Sequence, residues 1–101
     1  MGHIDRELVD QFVLDKRREY CRAFALWRKA ECPHGQARLW KEIEMLKAEI
    51  RVIPFIEKAI RASSSGSFLS VYEGILMILD GGKCHEVSLR QEAANYGLID
   101  P

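Results

Sequence analysis

The sequence predicts an all-α fold: a long antiparallel αα-hairpin, one buried helix and a short C-terminal helix. Three observations carry this expectation. Two amphipathic segments of nearly equal length flank a single breaker, Cys32-Pro33-His34-Gly35. Each segment repeats its apolar residues at three-and-four spacing. Folded at the breaker with facing residue numbers adding to about 67 or 68, the segments set apolar against apolar, so period and register agree. That register pairs Trp27 with Trp40, Phe24 with Ile43, Phe12 with Phe55 or Ile56, and Leu8 with Ile60.

The first segment covers residues 5–31. Asp5 suits its N-cap and Glu7 its first turn, where a carboxylate meets free amides and the positive end of the helix dipole. Its stripe is Leu8, Val9, Phe12, Val13, Tyr20, Ala23, Phe24, Trp27 and Ala30. Pro33 and Gly35 end it. The second segment covers residues 36–62, with Leu39, Ile43, Leu46, Ile50, Ile53, Ile56 and Ile60 near a heptad seam. Glu44 and Lys47 can pair one turn apart on its polar face. Pro54 removes one helical hydrogen bond and crowds the carbonyl of Ile50, so a kink or break is expected there. Around it Ile50, Val52, Ile53, Phe55 and Ile56 are apolar nearly all round, which demands cover beyond the first helix.

Ser63-Ser64-Ser65-Gly66-Ser67 reads as a loop. For residues 68–79 a helix is expected, with Ser70 and Glu73 at capping-box spacing and Asp80-Gly81-Gly82 as its stop. An α+β alternative competes, with a small hairpin over residues 75–89 in which His85, Val87 and Leu89 alternate. The last helix runs from Ser88, with Gln91 at capping-box spacing, to Tyr96 before Gly97. Leu98 and Ile99 then dock through their side chains.

A length of 101 residues fits one domain over residues 1–101. Fifteen basic and fifteen acidic residues cancel, so no overall field draws nucleic acid or anionic lipid. No apolar run is long enough to span a bilayer. The first residues lack a basic stretch followed by an apolar one, and Arg6 stands where a myristoylation motif needs Ser or Thr. Cys21, Cys32 and Cys84 are odd in number, which fits reduced thiols in a cytoplasm.

Candidate chemistry is sparse. Cys32, His34, Cys84 and His85 form a tetrahedral ligand set, but neither the Cys-x2-4-Cys nor the His-x3-5-His spacing of a structural zinc site is present. No nucleophile elbow, zinc-protease helix motif or phosphate loop occurs. The expectation is therefore no metal, no cofactor, no catalytic residue and no enzyme. Lys16, Arg17, Arg18 and Arg22 form a basic strip that would meet phosphates in a nucleic-acid accessory protein, though interleaved carboxylates make nucleic acid the lesser expectation. The main expectation is a small cytoplasmic regulator, an inhibitor of the anti-activator type, that forms a homodimer and covers the dimerisation or active surface of a protein such as a transcription factor. Its contact residues are expected to be Phe12, Tyr20, Phe24, Trp27, Trp40, Ile50, Ile53, Phe55 and Ile56, because aromatic residues dominate interface hot spots.

Overall fold

Asp5 both ends an extended dipeptide, β1 (His3–Ile4), and caps the first helix, α1 (Arg6–Lys29). Its carboxylate accepts from the Leu8 amide at 3.3 Å, and Arg28 and Lys29 complement the dipole at the far end. These features belong to a computed structural model that describes residues 1–100. Pro33 opens α2 (Pro33–Ala62) at the first helical position, where its missing amide costs nothing. Gln36 donates its side-chain amide to the Ala30 carbonyl at 2.8 Å and closes the connection between the helices. The helix continues through Pro54, which is exposed, so the Ile50 carbonyl that loses its donor lies beside solvent-facing backbone.

The stretch after the serine loop corrects the all-α expectation. Residues 68–79 are not a helix; they are two strands of a four-stranded mixed sheet, β2 (Phe68–Tyr72) and β3 (Ile75–Asp80), followed by β4 (Lys83–Glu86). The order is β1-β2-β3-β4, with β1 parallel to β2 and the other pairs antiparallel. The hairpin weighed as the alternative is present between β3 and β4, inside a longer meander. The physical reason lies at Glu73-Gly74. Both residues have positive φ, 50° and 77°, as a two-residue type I′ hairpin turn requires. Glu73 thus serves a turn instead of a capping box, and Gly74 marks a reversal instead of a helix interior. Gly81 and Gly82 repeat the device with φ 56° and 83°.

Ser88 caps α3 (Leu89–Asn95) by accepting from the Gln91 amide, and Gly97 in the left-handed region ends it. The Leu98 amide returns to the Ala93 carbonyl at 2.8 Å, the Schellman pattern, which turns Leu98 back onto the core.

Cross-strand partners point to the same side of a sheet. Leu69, Val71, Leu76 and Ile78 face the helices, where they meet Val9, Phe12, Val52, Ile53, Ile56 and Ile60 in the main core, with Leu89 and Ala93 of α3. The cover that the apolar region around Pro54 demands is thus this sheet and α3. The core occupies only the open end of the α1–α2 hairpin. The turn end holds a separate small cluster of Ala23, Ile43 and Leu46, ringed by Tyr20, Phe24 and Trp27. The molecule measures 50 × 26 × 18 Å, and its radius of gyration of 15.4 Å exceeds the ~13 Å of a compact chain of this length. No helix among the described residues is long and apolar enough to cross a membrane.

Candidate functional site

Beyond Glu19, which shares a cavity with Val71 and Glu73, and Glu42, which Arg90 of α3 reaches at 3.9 Å, the hairpin projects as a bare two-helix arm. The sequence makes this arm aromatic. Tyr20, Phe24 and Trp27 recur at helical spacing on α1, and Trp40 answers from α2. Ring centroids are 6.3 Å apart for Tyr20 and Phe24, 5.5 Å for Phe24 and Trp27, and 5.0 Å for Trp27 and Trp40. Aromatic pairs at such distances contribute about 0.5–1.5 kcal/mol each beyond burial. Two helices alone do not cover these rings. Trp40 is 43% exposed and Leu26, on the same arm, 53%.

A groove runs along the side of the hairpin away from the sheet. One stretch is a cavity of about 360 Å³ lined by Arg17, Tyr20, Cys21, Lys47, Ile50 and Arg51. The adjoining stretch shares Arg17 and Ile50 and continues past Val13, Ile53 and Pro54 to Arg6, Asp10 and Glu57. There Arg6 is paired with both Asp10 and Glu57, and the Glu57 hydrogen bond holds its guanidinium still more firmly charged.

The outer side of the sheet is a third uncovered surface, and sequence reasoning missed it. Phe68 stands opposite Leu79, Ser70 opposite Met77, and Tyr72 opposite Ile75, on the face away from the core, with the Ser70 hydroxyl donating to the Asp5 carboxylate at 3.4 Å. Tyr72, Ile75 and Leu79 are exposed. A helix reading buries this segment all round. The available signal was composition, with the β-branched and aromatic residues Phe68, Val71, Tyr72, Ile75 and Ile78 on either side of Gly74.

The most enclosed polar cluster is structural in form. Glu49 is 6% exposed and accepts from Lys16 at 3.1 Å and from Arg90 Nε at 3.0 Å, tying α2 to α1 and α3. A cleft of about 250 Å³ lies beside it, lined in part by Phe12, Val87 and Ser88. Both carboxylate oxygens are engaged by these two cations. The two Cys-His pairs do not meet. Cys32 and His34 sit at the arm's tip, while Cys84 and His85 lie on β4, which joins the sheet at the other end. Among the described residues no cluster of three or more potential ligands has metal-binding geometry. At Cys32 the amides of Gly35 and His34 at the start of α2 hold the exposed thiol below its usual range, although neither reaches full cap hydrogen-bond geometry.

The expected contact residues fall into three groups. Tyr20, Phe24, Trp27 and Trp40 form the arm's ladder, and half-buried Ile50 floors the groove. Phe12, Ile53 and Ile56 are spent on the internal core. Phe55 lies beside α3, its ring 5.0 Å from that of Tyr96, and stays 44% exposed. The basic strip does not form one surface, because consecutive helical residues point about 100° apart. Lys16 turns inward to Glu49, Arg17 enters the groove, Arg18 pairs with Asp15 at 3.6 Å, and Arg22 is exposed. No family model, curated protein or solved structure matches this chain.

Proposed function

We propose that this protein acts by binding another protein, as a small cytoplasmic regulator that covers a partner's dimerisation or active surface. The observation that supports this reading is the aromatic arm. Four rings in contact are carried by two helices that leave Trp40 and Leu26 about half exposed. Aromatic residues in partly formed pockets are the usual anchors of interfaces, and an apolar helix face is completed by a partner helix. The test uses Leu26→Asp and Trp40→Asp, both at exposed positions. With circular dichroism and melting unchanged, each variant should fail to retain the protein that wild type captures from native extract and binds after purification. Equal binding by wild type and both variants would reject the arm as the contact surface.

A homodimer is a second reading, favoured by the outer sheet face. Phe68, Tyr72, Ile75, Met77 and Leu79 form an uncharged patch on β2 and β3, with Glu86 of β4 at its edge, and such a patch can meet its own copy across a two-fold axis. Sedimentation should show a dimer in wild type and a monomer in Leu79→Lys. A monomer in both removes this reading and leaves the first intact.

A further inference from the structure

The groove on the far side of the hairpin carries charge that the protein does not use. Arg17, Lys47 and Arg51 line it, and none of the three has an ion pair with any described carboxylate. Lys47 is free even of Glu44, one turn earlier, although the sequence offers that pair. Between the cations the floor is apolar, made by Tyr20 and Ile50. By contrast, the adjoining stretch neutralises itself through Arg6 with Asp10 and Glu57. Other surface cations are unpaired too; what sets these three apart is that they rim one apolar cavity of about 360 Å³ together.

We infer that this groove binds an acidic amphipathic segment of the partner protein. Its apolar residues would seat on Tyr20 and Ile50, and its Asp or Glu side chains would pair with Arg17, Lys47 and Arg51. The occupant follows from charge complementarity. Three cations around an apolar floor match a segment that alternates carboxylates with apolar residues at helical spacing. A nucleic-acid backbone matches less well, because phosphates gain nothing from an aliphatic floor and the chain's zero net charge supplies no long-range attraction. The inference rests on the reading of this protein as a protein binder and names the chemistry of what it binds. It also places the partner across both helices, since Arg17 and Tyr20 come from α1 while Lys47, Ile50 and Arg51 come from α2.

The test is selection of a randomised short-peptide display library on the full chain, followed by affinity measurement with synthetic copies of the selected peptides. The expected result is enrichment of Asp and Glu interleaved with apolar residues at helical spacing. Binding of these peptides should fall ~tenfold or more in the exposed-site variant Arg17→Glu/Arg51→Glu, and again with Ile50→Thr. Selected peptides without acidic bias, or with affinity untouched by the charge reversal, would overturn the inference. A short single-stranded DNA that binds wild type, is lost on charge reversal and is indifferent to Ile50→Thr would overturn it in favour of a nucleic-acid ligand. Acidic peptides that lose binding with Leu26→Asp but not with charge reversal would remove the groove while sparing the arm. Failure of every peptide, with Leu26→Asp and Trp40→Asp silent in partner capture, would remove the underlying reading as well.

Discussion

The Lys16 ammonium donates to the Glu49 carboxylate at 3.1 Å and so joins the midpoints of two helices that meet nowhere else through a buried ion pair. Glu49 is almost fully buried, whereas the Lys16 side chain keeps 21% exposure and Arg90 57%. Removing the carboxylate strands two cations, and the exposure of those cations moderates the loss. Glu49→Ala should therefore cost about 3 kcal/mol, the low end for breaking a buried pair. Arg90→Ala should cost less than ~1 kcal/mol, as its exposed side predicts. Replacing both partners, Lys16→Met/Glu49→Met, should recover most of the loss. Urea unfolding of the four proteins measures all three values.

Gly2 is required by a close approach. A Cβ placed there would lie 1.8 Å from the Ile60 carbonyl oxygen, a backbone atom that cannot swing aside. Gly2→Ala should lift β1 from α2 and release the hydrogen bonds from the His3 amide to Ser67 and from the Asp5 amide to Leu69. The expected cost is about 1–3 kcal/mol. Amide exchange should accelerate at His3 and Asp5 while Ile78 stays protected.

Glu73 holds φ at 50°, a conformation that ordinary side chains resist. Glu73→Asn gives the residue pair preferred in this turn and should stabilise by about 0.5–1 kcal/mol. Gly74→Ala, at φ 77°, should destabilise by about 1 kcal/mol or more. Opposite signs at adjacent positions in thermal unfolding are the signature; equal signs would contradict the turn.

Cys32 should be alkylated as its thiolate at a pH below the usual thiol range, because the amides of Gly35 and His34 favour the charged sulfur. The lowered value means that reactivity appears earlier as pH rises. In denaturing urea those amides are gone, and the rate profile should move to higher pH. Mass spectrometry of iodoacetamide-treated protein follows the site, and coincident native and denatured profiles would exclude the effect.

The helical hairpin was legible because period, caps and register are local or pairwise properties. Asp5, Pro33, Ser88 and Gly97 each satisfy a helix end by chemistry visible in the sequence. The sheet was hidden because Val71 to Leu79 is apolar on both faces once its outer side stays uncovered, and a short apolar run reads as helix or strand alike. Glu73 deepened the ambiguity, since a charged residue at positive φ is an uncommon turn former. The strand β1 has only two residues and owes its existence to a partner 65 positions away, a relation no local pattern records. The arm's ring pair Trp27 and Trp40 followed directly from the register. The groove did not, because it depends on which cations the fold leaves unpaired.

The parallel pairing of β1 with β2 also sets an order of events. His3 precedes both long helices in the chain, yet its partner Phe68 follows them. Closing so long a loop from an unstructured chain costs ~3–4 kcal/mol in the length-dependent part alone. The two antiparallel helices remove most of that search, since they return the chain until the Ile60 backbone lies against Gly2. The hairpin thus acts as a ruler: a four-residue insertion in α2 would advance its end by ~6 Å and carry Phe68 past the strand that waits for it. Folding should then slow at the step that seats β1, even with every side chain of the sheet unchanged.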